Sequence, residues 1–399
     1  MSRHDKLKSF AASVEKKYGE RSLDIGLHTI EMKRIPTGSV MLDLALGGGL
    51  PVGRVSMFYG AKSSGKTTTA YRIAAQAQTL CANCLRPATF TELPEDERYD
   101  EDGAEKPPHG HCDCYSQGLI TPQQEPDEKK AEYAERLKAY ETNSYERFWV
   151  AIIDLEGAYD HKWAVKLGLK PYGAVFSRPG SAEEAIDVVD QLVRTGAVDL
   201  VIIDSIAAMT PSKEIEESVE SWQQGLQARL VNKFCRKIQS TINDVSREYG
   251  RAPTQLWINQ VREKIGVMFG SNETLPGGRG QGFVTSVEVK LWASEYEKGK
   301  AAGLDYEVAT AVRINFKVEK NKTAPPKRTG SYFMTLDNGA IDDAKLILDF
   351  AEGYGVFGKT DKDWEALGAR FKTKREATDH LLKPENVEHI KGLMLEACV

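Results

Sequence analysis

The segment Gly60-Ala-Lys-Ser-Ser-Gly65-Lys66-Thr67 constrains this chain more than any other. It directly follows the apolar run Arg54–Tyr59 and opens a helical pattern over Thr68–Leu80, the strand, loop and helix context that a phosphate-binding P-loop requires. Gly60 and Gly65 permit a loop whose backbone N–H groups face phosphate oxygens, with Ser63, Ser64 and Thr68 along the same cradle. Lys66 supplies a point charge to the β- and γ-phosphates of ATP, and the Thr67 hydroxyl suits Mg²⁺. The alternative, a Gly-rich turn that binds nothing, explains neither the strand before it nor the helix after it.

The texture around this loop is that of an α/β protein. Apolar runs at Phe148–Asp154, Leu200–Asp204 and Gln255–Asn259 alternate with longer helical patterns, which predicts a mostly parallel sheet with ligands at the carboxyl ends of its strands. Two carboxylates stand at such ends. Asp204 sits where a carboxylate holds Mg²⁺ through water, and Glu156, just past Ile152-Ile153-Asp154, where one orients or deprotonates an attacking water. Either is also a common polar cap on a strand; the P-loop tips the reading towards function.

At 399 residues and 41% hydrophobic content the chain can bury one large core with smaller appendages, since single cores rarely exceed about 250–300 residues. We expect an arm over 1–33 used in oligomerisation, with Leu7, Phe10, Val14 and Tyr18 at helical spacing. A core follows over 34–338, interrupted by a Cys-rich acidic insertion at 79–147, and then a small helical or α+β domain over 339–399. No run approaches the roughly 18 apolar residues of a membrane span, and Met1–Lys6 leads into a charged segment with no secretory core, so a cytosolic protein without a membrane partner is expected.

A net charge of −5 leaves no global basic footprint, so contact with nucleic acid must be local. Gly225–Gly250 reads as one long helix with a buried stripe from Leu226 to Val245 and with Arg229, Lys233 and Arg236 on another face. Val261–Phe283 is a long Gly-rich stretch containing Arg262, Lys264, Ile265, Met268, Phe269, Gly277, Gly278 and Arg279. Its mixture suits single-stranded DNA: cations for phosphates, Ile265 and Met268 to wedge between bases, and glycines for close backbone approach. No code for base edges is visible.

Taken in order, these pieces resemble the bacterial RecA recombinases. The resemblance is carried by Ile35-Pro-Thr-Gly-Ser39, Leu42–Gly47, the P-loop, Ile153-Asp-Leu-Glu156, Gly196–Ser205 with Met209-Thr-Pro, Ile258–Gly270 and Val318-Glu-Lys-Asn-Lys322. It spans nearly the whole chain except 79–147. It implies a P-loop NTPase core and a DNA-dependent ATPase that forms a helical homo-oligomeric filament on single-stranded DNA. That filament pairs with homologous double-stranded DNA and exchanges strands in recombination and repair. It further implies that Glu156 is the catalytic carboxylate, that Asp160 and Trp163 contact and stack the adenine, and that Gln260 senses the γ-phosphate. Lys320 and Lys322 would reach the neighbouring protomer's ATP, and Arg229 and Arg236 would lie beside a first DNA loop at Glu214–Gln224. Glu217, Glu220, Gln224, Lys62 and Gly282 depart from common family residues, which touches rates and cooperativity and leaves the reaction class alone. A RadA-like branch-migration motor and a DNA-binding ATPase without strand exchange are the rival readings, and formation of joint molecules discriminates between them.

The insertion carries Cys81-Ala-Asn-Cys84 and Cys112-Asp-Cys114, with His109 and His111 beside the second pair. Four soft ligands suit a structural tetrahedral Zn²⁺, and a His replacing one Cys is the alternative. Its acidic stretch, Glu92 to Glu105, argues against direct contact with DNA and for a protein partner, a role in the filament groove or competition with DNA.

Overall fold

A computed structural model describes residues 2–18, 32–82, 84–91, 109–111, 129–134, 147–216, 225–263, 273–300 and 307–397. Its centre is one sheet built from β1 (Val55–Gly60), β2 (Val150–Asp154), β3 (Ala174–Ser177), β4 (Leu200–Asp204), β5 (Thr254–Gln260), β6 (Val287–Lys300), β7 (Glu307–Asn321), β8 (Thr329–Thr335) and β9 (Ile341–Asp342). Their spatial order is β9-β8-β7-β6-β1-β5-β4-β2-β3. From β6 through β3 every neighbouring pair is parallel, whereas β6–β7, β7–β8 and β8–β9 are antiparallel.

The parallel strands read as unbroken apolar runs because both faces are covered. Phe58, Val150, Ile152, Leu200, Ile202, Leu256 and Ile258 bury one face against α3 (Lys66–Ala77) and α4 (His161–Lys166). The alternate residues Val55, Met57, Ala151, Ile153, Val201, Ile203 and Trp257 bury the other face against α5 (Ala182–Arg194) and α6 (Leu226–Tyr249). α6 coincides with the helix expected between Gly225 and Gly250, and both glycines have left-handed backbone that ends it. Phe234, Ile238, Ile242 and Val245 are buried as the stripe requires, while Leu226 and Leu230 are only half-buried.

At the amino end, α1 (Arg3–Tyr18) leaves Leu7 and Phe10 exposed. At the carboxyl end the helices Ala344–Gly353, Lys374–Leu381 and Pro384–Ala397 pack around a three-stranded antiparallel sheet of Phe357–Lys359, Trp364–Ala366 and Ala369–Phe371. Helical periodicity alone misses that sheet, because strands of three residues are too short to display their own period. Its core of Ile347, Ala351, Phe357, Leu381, Ile390 and Met394 continues into Val40 and Leu44 of α2 (Val40–Leu46).

The first end of the insertion is anchored to the foot of the sheet by Arg251. Its guanidinium donates to the Ala82 carbonyl at 2.8 Å, pairs with the buried Asp199 carboxylate, and lies 5.5 Å from the Phe148 ring centre. The other Asp199 oxygen accepts the Trp149 N–H at 2.9 Å. Removing the guanidinium deletes the Asp199 ion pair and the bond to Ala82, so Arg251→Met is expected to lower unfolding free energy by about 1–3 kcal/mol in a urea titration.

Candidate functional site

In-register parallel pairing delivers the chemistry to one place. Gly60 on β1 is opposite Gln260 on β5, and Asp154 on β2 is opposite Asp204 on β4, so all four stand at carboxyl ends of adjacent strands. The chain leaves β1 into the P-loop, where Ser63 (φ 60°) and Gly65 (φ 81°) both adopt left-handed backbone. This alternation turns successive N–H groups inward as an anion nest. A Cβ on Gly65 would lie 2.8 Å from the Ile314 Cδ1, so sterics as well as φ require glycine there.

Lys66, 6% exposed, spans the loop: its Nζ donates to the Ala61 carbonyl at 2.6 Å and to the Ser64 hydroxyl at 3.2 Å. Burial pulls its pKa down, and the neighbouring Asp204 and Glu156 pull it back. The Thr67 hydroxyl donates to Asp204 Oδ2 at 2.8 Å. Asp204 is 5% exposed and its pKa is pushed up to about 6, first by burial and further by Glu156 and Asp154, against the Thr67 hydrogen bond and Lys66. Its second oxygen, Oδ1, is buried with no hydrogen-bond donor. A carboxylate kept half-satisfied beside a threonine hydroxyl is a donor set that fits a hard divalent cation.

Glu156 is brought to the same spot. Its Oε1 accepts the Ser205 hydroxyl at 2.5 Å and the Gln260 side-chain amide at 2.6 Å. The loop that presents Glu156 is folded around Asp154, whose carboxylate accepts the N–H groups of Gly157 at 2.9 Å, Ala158 at 3.3 Å and Tyr159 at 3.1 Å and is clamped by Arg178 at 3.1 Å. Ser205 and Asp154 escape a sequence reading. One reads as an ordinary residue after a strand and the other as a strand-end cap, and only the fold sets Ser205 against Glu156 and wraps the Glu156 loop around Asp154.

Asp160 caps α4 by accepting the Trp163 N–H at 3.1 Å, and Trp163 packs half-buried against the core. Thr68 is half-buried on the first turn of α3. Lys320 and Lys322 lie on the other side of the sheet, over α7 (Gln281–Val284): Lys320 Nζ donates to the Gly282 carbonyl and Lys322 Nζ to the Phe283 carbonyl at 3.1 Å. Within the protomer they are therefore not part of the Lys66 cluster.

Arg229, Lys233 and Arg236 are exposed on one side of α6, and Arg262 is exposed at the root of the Val261–Phe283 stretch, here the second loop. Arg262–Glu263 pairs with Glu273–Thr274 as a short antiparallel ladder, so the two arms of that loop meet before it runs out. Gly277 is buried and Gly278 exposed on the returning arm. Lys264, Ile265, Met268 and Phe269 lie outside the described residues, as do Glu217, Glu220 and Gln224.

Cys81 and Cys84 are buried at the start of the insertion. The Leu85 N–H donates to the Cys81 carbonyl at 2.9 Å, the Cys81 N–H to the Arg86 carbonyl at 2.9 Å, and Leu85 has φ 63°. His109–His111 forms a strand antiparallel to Thr89–Thr91, with His111 opposite Thr89. Cys112 and Cys114 lie outside the described residues, and among those described no three ligating side chains converge on a metal position.

The Asp204 carboxylate makes a testable electrostatic prediction. With its pKa raised from 3.8 to about 6, the folded state holds the proton more tightly than the unfolded state. Stability of the ligand-free protein is therefore unaffected below about pH 4 and falls as pH rises through the window up to about 6, by about 3 kcal/mol at about 1.4 kcal/mol per pH unit. Asp204→Asn is expected to raise the melting temperature at pH 8, to leave it unchanged at pH 4, and to abolish Mg²⁺-dependent nucleotide binding.

The RecA N-terminal domain profile matches residues 5–88 and 137–341, leaving out the middle of the insertion. The chain is 31% identical to protein RecA of Bacteroides thetaiotaomicron, covering 100% of this chain and 99% of that protein. It is 33% identical to protein RecA of Frankia casuarinae over 90% of this chain and 82% of that one, and 31% identical to the Thermus aquaticus protein over 98% and 93%. On a family profile that matches most of the chain and on these identities over nearly its full length, this protein belongs to the RecA family of recombinases, which act in DNA recombination and repair.

Proposed function

We propose that this recombinase is a DNA-dependent ATPase that polymerises on single-stranded DNA with ATP between protomers, and that the filament pairs with homologous duplex and exchanges strands. The observation that carries the catalytic part is the meeting of Glu156, Ser205 and Gln260 beside Lys66 and the Thr67–Asp204 pair. The P-loop N–H groups and Lys66 hold the β- and γ-phosphates, with Gly60, Ser63, Ser64, Gly65 and Thr68 shaping the cradle. Asp160 and Trp163 take the adenine end. Thr67 and Asp204 would hold Mg²⁺, which when bound neutralises charge on the phosphates. Glu156 orients a water and accepts its proton as the water oxygen bonds to the γ-phosphorus; the bond to the β-phosphate oxygen breaks, and ADP and phosphate leave.

Lys320 and Lys322 act in trans, trading the α7 carbonyls for the γ-phosphate of the neighbouring protomer's ATP. Polymerisation is supported by apolar side chains without cover on the protomer: Phe283, 81% exposed on α7, and Leu7 and Phe10 on the 1–33 arm. Arg229, Arg236, Arg262, Lys264, Ile265, Met268, Phe269, Gly277 and Gly278 form the DNA surface, with phosphate contacts from the cations and no base-edge readout. Gln260 reports the γ-phosphate to that surface. Lys66→Ala is expected to eliminate ATP-dependent filaments in electron micrographs and joint molecules from homologous DNA, and their survival would overturn this function. Glu156→Gln is expected to keep nucleotide binding and lose DNA-dependent hydrolysis by about 100-fold or more.

We further propose that the 79–147 module is held by one structural Zn²⁺ on Cys81, Cys84, Cys112 and Cys114, with His109 or His111 as the alternate fourth ligand. The tight turn after Cys81, with left-handed Leu85, favours this reading, and so does the pairing of His111 with Thr89, which brings the chain just before Cys112 alongside the strand that follows Cys84. Its acidity suits a basic protein partner better than DNA. Elemental analysis is expected to find about one zinc per chain, and a metal-free preparation that keeps its fold and activity would remove the idea.

A further inference from the structure

The second loop leaves the core at Gln260 and returns at α7, and its two roots are joined by a pair of buried amides that touch neither the P-loop nor the exposed basic surface. Asn259, fully buried, donates from Nδ2 to Gln281 Oε1 at 2.7 Å and to the Pro276 carbonyl at 3.2 Å. Gln281, 2% exposed, donates from Nε2 to the Pro276 carbonyl at 2.5 Å and to the Gly278 carbonyl at 3.3 Å. The Asn259 Oδ1 accepts the Gln260 N–H at 2.8 Å. Gly277 is pressed onto this pair: a Cβ there would lie 2.6 Å from Gln281 Nε2.

A buried primary amide costs stability unless its donors and acceptor are met, and here all are. An apolar side chain would fill the same space without that demand, so what the amide adds is geometry: a satisfied polar network admits one arrangement of its members. The members are the backbone of Gln260, whose side chain touches Glu156, and the Pro276–Gly278 carbonyls on the returning arm of the DNA loop. The same four-residue helix offers the Gly282 and Phe283 carbonyls to Lys320 and Lys322. Gln281 is therefore the α7 side chain that hydrogen-bonds the strand ending at Gln260, while the helix's own carbonyls meet the two lysines.

We propose that Gln281 is a positioning residue, which clasps the two roots of the second loop so that the setting of Gln260 is passed to Pro276–Gly278. The inference rests on the reading of Gln260 as the nucleotide sensor and of this loop as a DNA contact. A clasp of this kind shows in the ratio of DNA affinities between nucleotide states, which a side chain serving only the fold does not change.

The test measures binding of full-length protein to a labelled oligo-dT by anisotropy at one salt concentration, with a slowly hydrolysed ATP analogue and with ADP. Gln281→Leu and Gln281→Met keep the volume and remove the amide. Both are expected to cut the analogue-to-ADP affinity ratio by about 5-fold or more, with nucleotide affinity and ADP-state DNA binding unchanged. Asn259→Ala combined with either is expected to cut the ratio no further than the worse single change. A ratio retained in both variants overturns the proposal. So does an equal loss of DNA binding in both nucleotide states, or loss of the fold in both variants, because Gln281 then serves only packing. If the parent protein itself shows no difference between the analogue and ADP, the sensor reading of Gln260 is what fails.

Discussion

The register of four parallel strands is the constraint on which the rest of this structure depends. Gly60 against Gln260 and Asp154 against Asp204 are backbone pairings, yet they decide where every reactive side chain stands. A slip of one residue in either pair would turn Gln260 or Asp204 to the opposite face of the sheet. The alternating burial of Met57 and Phe58, Ile152 and Ile153, Trp257 and Ile258 on the two faces forbids such a slip, because each slip would exchange whole sets of packed side chains between two different helical layers. Core packing and site geometry are thus one problem.

What that register assembles is a cluster under electrostatic tension. Three carboxylates, the buried Asp154 and Asp204 and the exposed Glu156, stand at neighbouring strand ends, the last two close enough to act on Lys66, and each is relieved differently. Asp154 is neutralised by Arg178 and by backbone donors, and Glu156 is held by a hydroxyl and an amide at the solvent edge. Asp204 keeps one oxygen without a donor. A site left short of positive charge in the ligand-free protein is one that gains most from a bound cation, and the raised pKa of Asp204 is the same imbalance seen through its proton.

The second loop is organised on a different principle. Its roots are tied by neutral amides and by the short ladder of Arg262–Glu263 with Glu273–Thr274, reinforced by Lys290 on Glu273 at 2.5 Å. Arg262 and Arg279, on its two described arms, are exposed. α7 sits between this loop and Lys320 and Lys322, so one short helix borders both the strand that ends at Gln260 and the two lysines.

Much of this was legible in the residue order. The P-loop, the apolar strands with carboxylates at their ends, the long α6 with its apolar stripe and the Cys pair are local patterns whose period or spacing carries its own physical meaning. Family resemblance added the expectation that Gln260, Lys320 and Lys322 act on the nucleotide. Local pattern could not supply the short carboxyl-terminal strands, the Ser205 hydroxyl on Glu156, the collar of N–H groups around Asp154, or the Asn259–Gln281 clasp. Each of those joins residues through strand order or loop closure, which no local period encodes. The sequence by itself determined that a phosphate cradle and strand-end acids exist in this chain. Only the tertiary structure decided which acid keeps an unpaired oxygen, which is shared by two donors and which is neutralised, because that depends on which strands lie side by side.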